Sequence, residues 1–317
     1  MSNSASKTEE RVHPLTPARH GAVLDRLPDS KEVLLRSLAD RWHRFAEQAA
    51  RSRERPSEKA IHDLRVATRR LLAVLDIVGA IAPSDQISKL RKRMKRYLQA
   101  LSALRDTQVQ ILLLRELARK FPDLGLFLTV LMVREKQLVK SARKEIATLR
   151  IPSTEEEIVR IEEALASVLA DPVVRDAAGP VLVGVTAQAF ARAAALKRGA
   201  LTGNSERVHR YRVAFKRFRY TVETLQPMLP EVNGQLLKAM NRYQVRMGDI
   251  QDFDVLARSV TAYAIHRSKL KPEQFRPVKD HLVSRRKNLV QEFIDKADEI
   301  AMFWAKLRPR ESRMVQA

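Results

Sequence analysis

Two stretches of this chain, 147 residues apart, carry the same pattern: IHDLRVATRRLLAVLDIV at 61–78 and VHRYRVAFKRFRYTVETL at 208–225. His62, Arg65, Val66, Ala67 and Arg70 coincide with His209, Arg212, Val213, Ala214 and Arg217. A second pair follows at a spacing of 146, MKRYLQALSALRDTQV at 94–109 and MNRYQVRMGDIQDFDV at 240–255. It matches Met94, Arg96, Tyr97, Asp106 and Val109 with Met240, Arg242, Tyr243, Asp252 and Val255. A looser match, at a spacing of 148, joins VLLRSLADRWHRF at 33–45 to VLVGVTAQAFARA at 181–193. The fold must therefore build one unit twice.

That unit reads as helical. Gly and Pro gather at APSD 82–85, FPDLG 121–125, LTGNS 201–205 and LPEVNG 229–234. Between them apolar residues recur every three or four positions, the period of amphipathic helices, and no stretch alternates as a strand would. The pattern predicts helices near 30–53, 57–81, 84–120 with a break around Ser102, 123–149, 154–169, 173–199, 204–228, 231–267 with a break at Gly248, and 272–307. The fold class is all-α, with about four helices in each half, enough for a bundle apiece. The expected division is a flexible polar tail over 1–28, a first bundle over 29–153, an acidic helical connector over 154–172, a second bundle over 173–307 and a tail over 308–317.

Cysteine is absent, which excludes disulfides, thiolate metal ligands and cysteine nucleophiles and suits a reducing cytoplasm. The N-terminal stretch lacks the apolar core of a secretory signal. The apolar runs at 124–133 and 71–82 fall short of the roughly 20 residues that span a bilayer, so no transmembrane segment is expected. The dominant global feature is charge: 59 Lys and Arg against 37 Asp and Glu, a net +22. Such an excess repels itself in a compact state and points to a polyanionic partner.

The cations are arranged. Ile61, Leu64, Thr68, Leu71, Leu75 and Val78 form one helix seam, and Val208, Tyr211, Phe215, Phe218, Val222 and Leu225 form its counterpart. About 100° round the helix from each seam runs a stripe: His62, Arg65 and Arg69 in one copy, His209, Arg212, Lys216 and Arg219 in the other. The following helix repeats the design, with Lys89, Arg93 and Arg96 on one flank of its seam and Arg91 and Lys95 on the other, and with Lys238, Arg242 and Arg246 in the second half. Like charges at this spacing destabilise an isolated helix, so one-signed stripes on duplicated positions favour an external anion facing a groove shared by two adjacent helices. The aromatics Tyr97, Tyr211, Phe215, Phe218 and Tyr243 fall on the apolar seams, leaving few rings for bases to stack on, and no motif for reading base edges is present.

The paired H-x-x-R-V-A-x-[RK]-R blocks at His62–Arg70 and His209–Arg217, each followed by a helix carrying ALSALRD or RMGDIQD, resemble the CHAD family, named for its conserved histidines and α-helical domain. The resemblance covers about residues 30–305. It implies a pair of helical bundles related by an internal two-fold, a central basic cavity or groove, and inorganic polyphosphate as ligand, in a cytoplasmic protein associated with polyphosphate granules. It also implies His62, Arg65, Arg69, Arg70, Arg96, His209, Arg212, Lys216, Arg217 and Arg242 as ligand-facing residues. The E-x-E-x-K signature of the triphosphate-tunnel domain that accompanies some members does not occur. Gln251 stands where the first copy has Arg105, so the halves need not grip a ligand equally.

Other constellations point elsewhere less strongly. Asp106 and Asp252 suit helix caps or partners for a stripe arginine better than Mg²⁺ ligands. Glu206 and His209 have the E-x-x-H spacing of di-iron bundles, but Glu58 breaks it in the first copy. No phosphate-cradling loop or nucleophile motif is present, and neither cofactor nor catalytic residue is expected. An imidazole beside an anion is raised above its ordinary pKa, which gives His62 and His209 a role as charged donors. Besides polyphosphate, the residues leave open nonspecific nucleic acid as a weaker competitor, turnover of polyphosphate, and adhesion of basic helices to an acidic membrane or granule surface.

Overall fold

The computed structural model describes residues 29–266 and 272–307; the expected tails lie outside the described residues. The helices are α1 Ser30–Glu54, α2 Glu58–Ile81, α3 Asp85–Ala100, α4 Ser102–Lys120, α5 Gly125–Ala147, α6 Ile151–Val168, α7 Pro172–Ala200, α8 Ser205–Thr224, α9 Gly234–His266, α10 Pro272–Ile294 and α11 Glu299–Leu307. Among the described residues there is no strand, as the periodicity requires. Several starts are capped by side chains that satisfy the first free amides: Ser57 accepts from the Ala60 amide and Ser84 from Ile87, while Asn204 accepts from Glu206 and Arg207. Gly203 closes the α7–α8 turn at φ 69°, where a Cβ would also sit 2.9 Å from Val290.

Both seams lie in cores. Every residue of the α2 seam and of the α8 seam is buried, each at most 2% exposed. The next seams follow, with Ile87, Leu90, Met94, Leu101 and Leu104 buried in the first half and Leu236, Met240, Tyr243, Met247 and Ile250 in the second. The expected break near Ser102 occurs at Leu101, between α3 and α4. The one expected at Gly248 does not, and α9 runs unbroken through it. The predicted single helix over 272–307 is two, α10 and α11.

The apolar cores do not divide where the halves meet in sequence. One core gathers α1, α2 and α3 with Leu104 of α4, Ala142 and Ile146 of α5, Ile158, Ile161 and Leu165 of α6, and Ala178 and Leu182 of α7. The other gathers α8 to α11, but also Ile111 and Leu114 of α4, Phe127 and Leu131 of α5, and Ala189 and Ala193 of α7. Thus α4, α5 and α7 each serve both cores, which locks the two repeats into one body. The stretch read as an acidic connector is likewise a core helix: α6 buries its apolar side and turns Glu157 to Arg93 at 2.7 Å. Length and apolar composition alone would let α7 cross a membrane. Here it packs most extensively along α8.

Candidate functional site

Where α2 meets α8, the stripes of the two repeats face each other across one cavity of about 1260 Å³, larger than the usual small-ligand pocket. Its walls come from α1, α2, α3, α4, α8 and α9 and carry twelve Arg and Lys against five Asp and Glu. All seven residues of the two stripes line it: His62, Arg65, Arg69, His209, Arg212, Lys216 and Arg219. Arg70, Lys95, Arg217, Lys238 and Arg242 join them.

Depth sorts these groups. Arg65 and Arg219 are buried at the floor, Arg69, Arg70, Arg212 and Lys216 are partly covered, and His62, His209, Lys95, Arg217, Lys238 and Arg242 form an exposed rim. Both histidines are therefore open to solvent rather than buried in a core.

The two repeats hold their equivalent arginines differently. Arg65 donates to the Leu98 carbonyl at 2.5 Å and to Ser102 Oγ at 3.2 Å, using an acceptor that the α3–α4 break frees. Arg212 instead lies against unbroken α9, where it donates to Gln251 Oε1 at 3.2 Å. Gly248 gives it room: a Cβ there would come within 3.3 Å of the Arg212 guanidinium, closer than ordinary contact. The glycine that looked like a helix break is thus a seat for an arginine. Gln251, where the first copy has Arg105, accepts from that arginine, while Arg105 itself pairs with Glu58 at 2.7 Å and lines the cavity.

Crowding of like charges marks the floor. Burial first and then Arg69 pull Arg65 down to about 10. Lys216 falls to about 6, through burial first and then through Arg212 and Arg69, with Asp252 opposing. His62 is lowered by partial burial and by Arg105, so the protein alone works against the charged imidazole, and the expected upward shift requires an anion. Burial raises Asp249 and Asp252, with Arg212 holding Asp252 back. Both carboxyls and Asp106 line the cavity, and among the described residues no acidic or histidine cluster could hold a metal ion. Cations held below their ordinary pKa are poorly compensated by the protein and favour an incoming anion.

Five residues assigned to the groove by helical phase or by resemblance do not line the cavity. Arg93 donates to both Glu157 oxygens, at 3.0 and 2.7 Å, and to Thr154 on α6. Arg246 pairs with Glu299 at 3.0 Å. Arg91 pairs with Asp76, whose carboxylate lines the cavity. Lys89 and Arg96 are exposed on α3. Helical phase identifies a flank of α3 or α9 but not its neighbour, and one flank of each turns to α6 or α11. Conversely, Arg41 of α1 lines the cavity and sequence reasoning missed it. At the 148-residue spacing its counterpart is Ala189, so doubling gave no signal; its phase on α1 was the one available cue.

The placement of Arg93 and Arg246 has a measurable consequence. Arg93→Ala and Arg246→Ala are each expected to lower stability by about 1 kcal/mol, because each ion pair is only partly exposed, and to leave anion affinity within about twofold. Thermal unfolding beside a binding titration checks both.

Comparison with known proteins agrees with this architecture. The crystal structure of the CHAD domain from the plant Ricinus communis superposes with a TM-score of 0.58 at 17% identity, over 92% of this chain and 96% of that one. PptA from Streptomyces chartreusis gives a TM-score of 0.54 at 15% identity, over 88% of this chain and 100% of that one. At these identities the likeness is one of fold. No curated protein matches the sequence. The family model of the CHAD domain matches residues 33–261, most of the chain and every cavity-lining position. By fold, repeat and family model together, this chain belongs to the CHAD domain family.

Proposed function

We propose that this chain binds long-chain inorganic polyphosphate in the cavity between α2 and α8, as a binding protein rather than an enzyme, and that this holds it at polyphosphate granules in the cytoplasm. The observation that carries the reading is one cavity into which both repeats turn twelve Arg and Lys against five Asp and Glu, and in which burial first and neighbouring cations second lower Lys216 and His62. A strand of phosphoryl groups supplies what such a floor lacks: closely spaced oxygens that accept bidentate bonds from Arg and point-charge contacts from Lys. Membership of the CHAD family supports a ligand of this class.

Nucleic acid fits less well. Among the described residues no Phe, Tyr or Trp is more than partly exposed, and the aromatic on the cavity wall, Tyr220, is covered by the Arg219 guanidinium 4.4 Å from its ring centre. Bases in the cavity would find no free ring to stack on.

Titration with orthophosphate, tripolyphosphate and longer polyphosphates tests the reading, with duplex DNA as competitor and salt varied. Affinity is expected to rise with chain length and to fall steeply with salt as counterions are released, by analogy with other polyanions. Equal affinity for duplex DNA would favour a nucleic-acid binder, and steady orthophosphate release with Mg²⁺ would make the chain an enzyme.

A further inference from the structure

One carboxylate in the cavity is surrounded by cations from both repeats. Glu223 lies 2.7 Å from Arg70 of α2, 3.3 Å from Arg219 of its own helix and 3.5 Å from Arg41 of α1. Its side chain is 12% exposed, and those of Arg219 and Arg41 are 8% and 18% exposed. It is the penultimate residue of α8, where the helix dipole disfavours negative charge, so the three guanidiniums account for its being there. The equivalent position of the first repeat, at the 147-residue spacing, is Asp76, which also lines the cavity but pairs with Arg91 from α3. Only in the second repeat, then, does the carboxylate reach across and gather arginines of the first. Arg41 and Arg70 also line a neighbouring recess of about 140 Å³ together with Arg44, Gln48 and Asp63.

We infer that Glu223 stands in for a phosphoryl group in the free protein, occupying an arginine subsite of the cavity that a ligand must take from it, so that short phosphates are excluded and long chains are not. The inference rests on the polyphosphate reading. Carboxylate and phosphoryl oxygens make the same bidentate bonds to Arg, so the two compete for one place. A short anion gains three arginines there only by displacing a carboxylate already holding them. A long chain has the rest of the cavity floor to draw on and feels that competition less.

Glu223→Gln keeps the shape of the side chain and removes its charge. It leaves three poorly solvated guanidiniums uncompensated, which weakens the free fold and strengthens the pull on an incoming anion. Tripolyphosphate is expected to bind this variant about tenfold tighter than wild type, and long polyphosphate about threefold tighter or less. Glu299→Gln removes the same charge outside the cavity and should change neither by more than about twofold, which separates the subsite from net charge. If Glu223 merely tied the repeats together, Glu223→Gln would lose stability without gaining affinity, and that result overturns the inference. If Glu223→Gln does not fold, Glu223→Asp, which keeps the charge and shortens its reach, decides the matter: about threefold tighter tripolyphosphate binding supports the stand-in, and unchanged or weaker binding overturns it. Wild type that fails to bind long polyphosphate at all sinks the underlying reading instead.

Discussion

Replacing Arg69 and Lys216 together by Met is expected, in mildly acidic solution, to cut affinity for long polyphosphate by about 100-fold or more while leaving the unliganded fold at least as stable. The two residues occupy equivalent positions in the repeats, one on α2 and one on α8, and both line the cavity. Below about pH 6, where Lys216 is already protonated, each supplies a charge-assisted contact worth about 1.5–3 kcal/mol, and tenfold in affinity corresponds to about 1.4 kcal/mol, so losing both costs about two orders of magnitude there even at the lower bound. The stability effect has the opposite sign. Arg69 lowers the pKa of Arg65, Arg212 and Lys216, so its charge is repelled by the groups it sits among. Removing it relieves that repulsion, and Met in place of Lys216 buries carbon instead of a poorly solvated amine. A titration and a thermal melt of the same variant check both halves. Lost stability with unchanged affinity would mean that these residues serve the fold.

Binding should also take up protons. Lys216, at about 6 in the protein, is mostly neutral at pH 7.5, and the charge of a phosphate chain raises it, so the complex holds a proton that the free protein does not. His62, lowered by partial burial and Arg105, acts in the same direction. The charged groups facing Lys216 are Arg212 and Arg219 on its own helix, Arg69 on α2 and Asp252 on α9, and three of these four disfavour its charge. Affinity is therefore expected to rise as pH falls from 8 toward 6, with the Lys216 contribution levelling off below about 6, where the free protein is already protonated. Stability without ligand runs the other way. The unfolded chain binds the Lys216 proton below its ordinary value of 10.5, so this group's penalty on folding grows as pH falls from there and is complete below about 6. Calorimetry at pH 7.5 in buffers of different ionisation enthalpy should report uptake of about one proton, removed by Lys216→Met. Zero uptake, or release, would contradict it.

Much of the site was legible because it is written twice. The seams around Ile61 and Val208 follow the helical period, burial follows from the seams, and the stripes follow from burial; all seven stripe residues line the cavity. What period and repetition do not encode was lost. Arg41 and Glu223 belong to the site through contacts between α1, α2 and α8, and Arg41 has Ala189 as its counterpart. Arg93 and Arg246 have the right phase but face Glu157 and Glu299, carboxylates on helices whose placement the sequence does not give. Gly248 has the composition of a break and the use of a seat for Arg212, which depends on a contact 36 residues away in the chain. The shared use of α4, α5 and α7 by both cores is likewise a matter of packing, since an amphipathic helix records that it has an apolar side and not which bundle that side will enter.

A structure of the chain with a polyphosphate of defined length is the most direct measurement. The expected result is a phosphate strand running between α2 and α8, with oxygens in hydrogen-bond reach of Arg69 and Lys216 together. Phosphate bound instead on the outer face of α3 around Lys89 and Arg96, with the cavity unoccupied, would contradict it.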